Sequence, residues 1–145
     1  MKKIRFGMFE TNSSGSHAIC IKGGDYEPYY WLKEKDGFVE IKAGEFGWEE
    51  EKSHGWDKKA SYCLTYAKSI EREDLVEMLR GVISKTTGVS DVRFAPYTPG
   101  GEYDEWGYID HQSSDVCAEA FESEEILRAF IFNPKSFLVI DHDNR

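Results

Sequence analysis

The sequence lacks any apolar run of about 18 residues, the length that a membrane-spanning helix needs. A polar run from Glu10 follows the basic start, so no signal-peptide core is predicted. Its three cysteines, Cys20, Cys63 and Cys117, are widely spaced and include no Cys-x-x-Cys pair. This spacing excludes a disulfide framework and a zinc knuckle, and it favours small buried side chains. We therefore expect a soluble, cytosolic protein with no metal and no cofactor.

Lysine and arginine are absent between Arg93 and Arg128, a stretch called here the base-free segment. It holds nine acidic residues, so the rest of the chain has 27 − 9 = 18 acids against 18 bases. The whole net charge of −9 therefore arises in this segment. Apart from Asp110, its acids are the predicted partner-binding residues: Glu102, Asp104, Glu105, Asp115, Glu119, Glu122, Glu124 and Glu125.

Such a concentration of negative charge repels phosphate backbones, so direct binding of DNA or RNA is not expected. It attracts a protein with a basic surface and speeds their encounter. The alternative is a solvated acidic face that keeps the protein soluble. The sequence leaves both interpretations open, and it does not indicate an oligomeric state.

No repeat, low-complexity tract or Pro/Ser-rich linker divides the 145 residues, which predicts one globular domain over residues 1–145. The first part has strand-like segments, and the middle shows helical spacing of apolar residues. We predict an α+β fold in which about three helices pack on a largely antiparallel sheet. The expected strands are 4–9, 17–22, 29–33 and 38–42 (as a hairpin), 89–95, 106–110 and 136–141; the expected helices are 58–70, 72–84 and one from Ser123 to Asn133.

Residues 9–17 read Phe-Glu-Thr-Asn-Ser-Ser-Gly-Ser-His, a polar run called here the first polar box. We predict it to be a loop between two strands. Its candidate site residues are Glu10, Ser13, Ser14 and His17, which offer a hydroxyl nucleophile, an imidazole base and a carboxylate. No Gly-x-Ser-x-Gly elbow frames these serines. A loop that hydrogen-bonds its own backbone explains the hydroxyls equally well, and both interpretations stay open.

A second polar box contains Asp110, His111 and Ser113. Asp110 is placed to orient an imidazole for general acid/base chemistry. The His-x-Ser pattern matches half of a two-histidine phosphoesterase motif, but Ala18 and Ile19 follow His17, so the second half is missing. A strand that runs into a polar loop is the other interpretation. An enzymatic function requires that the two polar boxes lie close together in the folded protein.

The chain also carries Asp141, His142 and Asp143 in sequence, but three contiguous donors cannot surround one metal ion. Trp48 and Trp56 lie in glycine-flanked stretches, where they serve either as partner anchors or as packing over a sheet edge. The run of Asp141, His142 and Asp143 therefore does not predict a metal site.

Five stretches taken together resemble a family of small uncharacterised phage and prophage proteins: residues 9–17, 45–49, 60–66, 109–113 and 132–140. The first of these is the most specific, although Gly15 stands where the family usually has serine. The resemblance implies a viral or prophage origin and no particular reaction. We therefore expect a phage-encoded accessory protein of the host cell cytoplasm. It would bind and modulate a basic host macromolecule, in counter-defence or host takeover. The alternative is a small enzyme or ligand-binding protein built on the two boxes.

Overall fold

A computed structural model describes the backbone of residues 9–14 and the whole of residues 16–28, 37–47, 50–100, 105–110 and 113–141. Strands and helices mix along the chain, which confirms the α+β class. The strands are β1 (Phe9–Ser14), β2 (His17–Lys22), β3 (Val39–Lys42), β4 (Glu45–Phe46), β5 (Glu51–Ser53), β6 (Val92–Ala95), β7 (Tyr108–Ile109) and β8 (Phe137–Ile140). The helices are α1 (Trp56–Ser69), α2 (Glu73–Thr87), a 3₁₀ helix (Ser114–Phe121) and α3 (Glu124–Phe132).

The main sheet is antiparallel and has the strand order β1-β2-β8-β5. Among the described strands β1 lies at the edge, and it is the polar run itself, paired with β2 from Phe9 opposite Lys22 to Ser14 opposite His17. The prediction of a loop over this run is therefore wrong for residues 9–14. An edge strand tolerates polar residues because one face and one edge need not enter the core.

The described residues also form two short parallel pairs: β3 with β6, and β4 with β7. In β3, Val39 and Ile41 are buried while Glu40 and Lys42 are exposed. The predicted hairpin has its first strand, residues 29–33, outside the described residues. Its second strand is confirmed, and β3 pairs with β6, which is distant in sequence.

The three α-helices agree with the predictions to within a few residues. α2 buries Val76, Leu79, Val82 and Ile83 and ends at Gly88, whose φ of 78° is left-handed. α3 begins after Ser123, whose Oγ accepts a hydrogen bond from the amide of Ile126 at 3.1 Å. A local cap thus determines where α3 begins, and a left-handed glycine marks where α2 ends.

One core joins the main sheet to α1, α3 and the 3₁₀ helix. The 3₁₀ helix was not predicted, although it buries Val116, Cys117, Ala120 and Phe121. None of the three cysteines forms a disulfide, and all three are buried, as expected for small apolar side chains. Within the ranges described above, no helix combines the length and apolar character that a membrane crossing requires.

Candidate functional site

His17 lies at the start of β2 and is completely buried. Its Nδ1 is 2.8 Å from the Tyr62 hydroxyl of α1, and its Nε2 is 2.7 Å from the Gly47 carbonyl oxygen. Because a carbonyl only accepts, Nε2 carries the hydrogen and the Tyr62 hydroxyl donates to Nδ1. The imidazole thus joins the main sheet to α1 and to the chain after β4.

Burial lowers the pKa of His17 below 6.5, although the Gly47 carbonyl and the charge of Asp110 act in the opposite direction. Burial likewise raises the pKa of Tyr62. Both groups therefore stay uncharged at neutral pH. Since both ring nitrogens are bonded to protein groups, His17 holds the surrounding structure in place and has no nitrogen facing a ligand.

The two polar boxes meet at Ser16 and Ser113. The Ser16 amide donates to Ser113 Oγ at 3.0 Å, and the two hydroxyl oxygens lie 3.3 Å apart. Ser113 Oγ in turn donates to Asp110 Oδ2 at 2.6 Å. Because Ser113 has one hydroxyl hydrogen and gives it to Asp110, Ser16 must be the donor between the two serines. The result is a directional chain of hydrogen bonds from Ser16 through Ser113 to the Asp110 carboxylate.

Backbone hydrogen bonds around Asp110 hold this chain of hydrogen bonds in place. The Asp110 amide donates to the Phe46 carbonyl at 3.0 Å, which continues the β4–β7 pairing. The Asp110 carbonyl accepts from the amides of Ser113 and Ser114 and thereby starts the 3₁₀ helix. Asp110 and Ser113 are both buried, whereas Ser16 is half-buried. The Ser16 hydroxyl is therefore the member of this hydrogen-bond chain nearest to solvent.

Other predicted candidates are only partly placed. Glu10, Ser13 and Ser14 belong to β1, with backbone partners Ile21, Ala18 and His17 in β2. Their side chains, and the whole of His111, lie outside the described residues. The convergence of the boxes therefore rests on Ser16, His17, Asp110 and Ser113.

The acids of the base-free segment divide by burial. Asp110 is buried and Glu119 is half-buried, while Glu102 and Asp104 lie outside the described residues. Lys85 pairs with Glu124 at 2.9 Å, with both side chains well exposed. The other described acids of the segment are exposed: Glu105, Asp115, Glu122 and Glu125.

Lys59 in α1 was not predicted to have any special role, yet it is completely buried. Its Nζ donates to the carbonyl oxygens of Asn133 (3.0 Å) and Ser136 (2.8 Å) in the turn between α3 and β8. Burial lowers its pKa from 10.5 to about 7. In the sequence it follows Asp57 and Lys58 and therefore looks like part of a solvated helix face.

Metal binding finds no support in the described residues, where no group of three or more histidine, cysteine or acidic side chains is suitably placed. His142 and Asp143 lie outside them. Trp56 stacks on Phe132 at 5.4 Å between ring centroids, which fits packing and not an exposed anchor.

The comparisons with known proteins yield no relative: no family model, no curated protein and no solved structure matches this chain.

Proposed function

We propose that this protein binds a basic partner protein through four carboxylates: Asp115, Glu122, Glu124 and Glu125, called here the acidic surface. The observation that carries the proposal is that all four are exposed within eleven residues of a segment without lysine or arginine. Together with the resemblance to phage proteins, this supports a viral accessory protein that modulates a basic host macromolecule, such as a defence nuclease.

The acidic surface is held by rigid elements. The 3₁₀ helix and α3 both bury their apolar faces in the core, which leaves Asp115, Glu124 and Glu125 exposed. Glu124 and Glu125 lie in the first turn of α3, where the helix dipole also favours negative charge. The ion pair with Lys85 is exposed and contributes little to stability. A partner that brings its own lysines or arginines can replace it.

Charge neutralisation tests this proposal. The test variant is Asp115→Asn, Glu122→Gln, Glu124→Gln and Glu125→Gln. We expect wild-type protein to capture a basic host protein at about 50 mM salt and to lose it at about 500 mM, because ionic strength screens exposed charges. The captured protein is purified, and its dissociation constant is measured by calorimetry. We expect the test variant to weaken binding at least tenfold.

A matched control separates this surface from net charge. Glu71→Gln, Glu73→Gln, Asp74→Asn and Glu77→Gln remove the same four charges from exposed positions around the start of α2. We expect this control to bind like the wild type. Equal loss of affinity in both variants would show that net charge alone drives the association and would refute the acidic surface.

A second candidate function, a small enzyme or ligand-binding protein, is favoured by the convergence of Ser16, Ser113 and Asp110. The directional chain polarises the Ser16 hydroxyl, which is half-buried. We expect a fluorophosphonate probe to label Ser16 in the wild type and to label Ser113→Ala much less. Absence of labelling, measured by mass spectrometry of the peptides, would leave this cluster as a purely structural network.

A further inference from the structure

Lys59 differs from the other described lysines in the complete burial of its amino group without a carboxylate partner. The described ion pairs of the protein do not include it. Its polar neighbours are the carbonyls of Asn133 and Ser136, and its Nζ lies 5.9 Å from the centroid of the Phe130 ring. Burial of an ammonium without an anionic partner is strongly unfavourable.

The number of hydrogen bonds fits an uncharged amine. A neutral amine has two N–H groups, and the structure gives Lys59 Nζ two carbonyl acceptors. An ammonium has a third N–H group, for which the described residues provide no further acceptor. Asn133 caps the C-terminus of α3, where the helix dipole attracts positive charge, and the Phe130 ring does the same. These attractions are weaker than that of a carboxylate.

Several titratable groups surround this amine. Cys63 of α1 and Cys20 of β2 favour its charged form, but less strongly than burial opposes it. His54, which precedes α1, is disfavoured in its charged form by burial, by Lys52 and by Lys59 itself. From α3 and the following turn, the groups in contact with Lys59 are the Phe130 ring and two carbonyls. The pKa of about 7 results from this balance.

The turn that Lys59 contacts connects four elements. Asn133 Nδ2 donates to the Lys22 carbonyl at the end of β2, and the Lys22 amide donates to Ser136 Oγ at 2.8 Å. Ser136 Oγ also donates to the Ala129 carbonyl of α3. The turn leads into β8, which lies between β2 and β5 in the main sheet. A charge inside this contact therefore affects α1, α3, β2 and β8 together.

We propose that Lys59 holds α1 to the α3–β8 turn as an uncharged amine and that its protonation loosens this contact, which makes the turn an acid-sensitive switch. Water has to enter the turn to solvate the ammonium, and it competes there for the carbonyls of Asn133 and Ser136. The loosened segment is residues 133–141. The parallel pair of β3 and β6 forms a separate two-stranded sheet, and we expect no change there.

Linkage between protonation and folding gives the first test. Between about pH 7 and pH 10 the unfolded chain keeps a proton on Lys59 that the native state lacks, so stability rises with pH. The Lys59→Met variant lacks this titrating group and its contribution to the pH dependence of stability. We expect the unfolding constant of the wild type, divided by that of Lys59→Met, to fall roughly tenfold per pH unit from about pH 7 to pH 9 and to stay constant below.

Guanidinium titrations monitored by circular dichroism measure this ratio. Lys58→Met is the matched control, because Lys58 adjoins Lys59 in α1, has a half-exposed side chain and pairs with Glu51 at 3.0 Å. The unfolding constant of the wild type divided by that of Lys58→Met should not depend on pH over this range. A ratio for Lys59→Met that is equally flat would mean that Lys59 is charged throughout, and it would overturn the proposal.

A measurement on wild-type protein covers the case that Lys59→Met does not fold. Lysine Cε resonances followed by NMR should include one with a titration midpoint near pH 7. Amide hydrogen exchange, corrected for its intrinsic pH dependence, should accelerate for residues 133–141 below this midpoint and stay constant for residues 39–42 and 92–95. A midpoint near 10, or unchanged exchange in residues 133–141, would refute the switch.

Discussion

Gly107→Ala is expected to lower the free energy of unfolding by roughly 3–5 kcal/mol, a large part of the stability of a small domain. Gly107 has a φ of 84°, in the left-handed region that side chains with a Cβ rarely adopt. An added Cβ would overlap with the carbonyl oxygen of Gly44. The backbone of β4 or of β7 would have to move.

This displacement would reach the candidate site. The Tyr108 amide donates to the Gly44 carbonyl at 3.0 Å, and the next bond in the ladder places Asp110 against Phe46. Loss of this register would separate Asp110 and Ser113 from Ser16. We therefore expect the variant to lose stability and, if the Ser16 hydroxyl is reactive, to lose fluorophosphonate labelling as well.

Gly81→Ala is the matched control for Gly107→Ala. Gly81 lies within α2, and a Cβ there meets no atom within 4 Å. Since glycine weakens a helix interior, this variant should gain about 1 kcal/mol. Chemical denaturation of both variants gives the comparison. Two changes of the same sign would show that Gly107 is not constrained by the approach of Gly44.

His17→Ala is the second substitution with a large expected effect, a loss of about 3–5 kcal/mol in the free energy of unfolding. It leaves a cavity and removes the hydrogen-bond partners of the Tyr62 hydroxyl and the Gly47 carbonyl. Tyr62→Phe keeps the ring but deprives His17 Nδ1 of its donor, and should cost about 1–3 kcal/mol. Because the two residues share one bond, the double variant should cost less than the sum of both.

The pH dependence of stability provides a further test of His17. Its native pKa is lowered, so the unfolded chain binds a proton before the native state does as pH falls below about 6.5. The wild type should therefore lose stability toward acid, and His17→Ala should lose less over the same interval. Denaturation of both proteins between about pH 7 and pH 5 measures this difference. Additive effects in the double variant together with parallel pH profiles would contradict the structural role of His17.

The fold and the candidate site differ in how far the sequence predicts them. The stripe of Leu79, Val82 and Ile83 predicts α2, and Ser123 predicts the start of α3, because spacing and capping act within a few residues. The hydroxyl-rich run before His17 misled the prediction, since its pairing with β2 as an edge strand overrides its loop-like composition.

By itself, the sequence determined the α+β class, the three α-helices and the location of the excess charge in one segment, because these depend on local pattern and composition. Only the tertiary structure decided that Ser16 meets Ser113, that both His17 nitrogens are occupied and that Lys59 is buried against two carbonyls. These contacts join residues 30 to 97 positions apart. Burial and hydrogen bonding of a polar side chain depend on such distant partners, which no local pattern specifies.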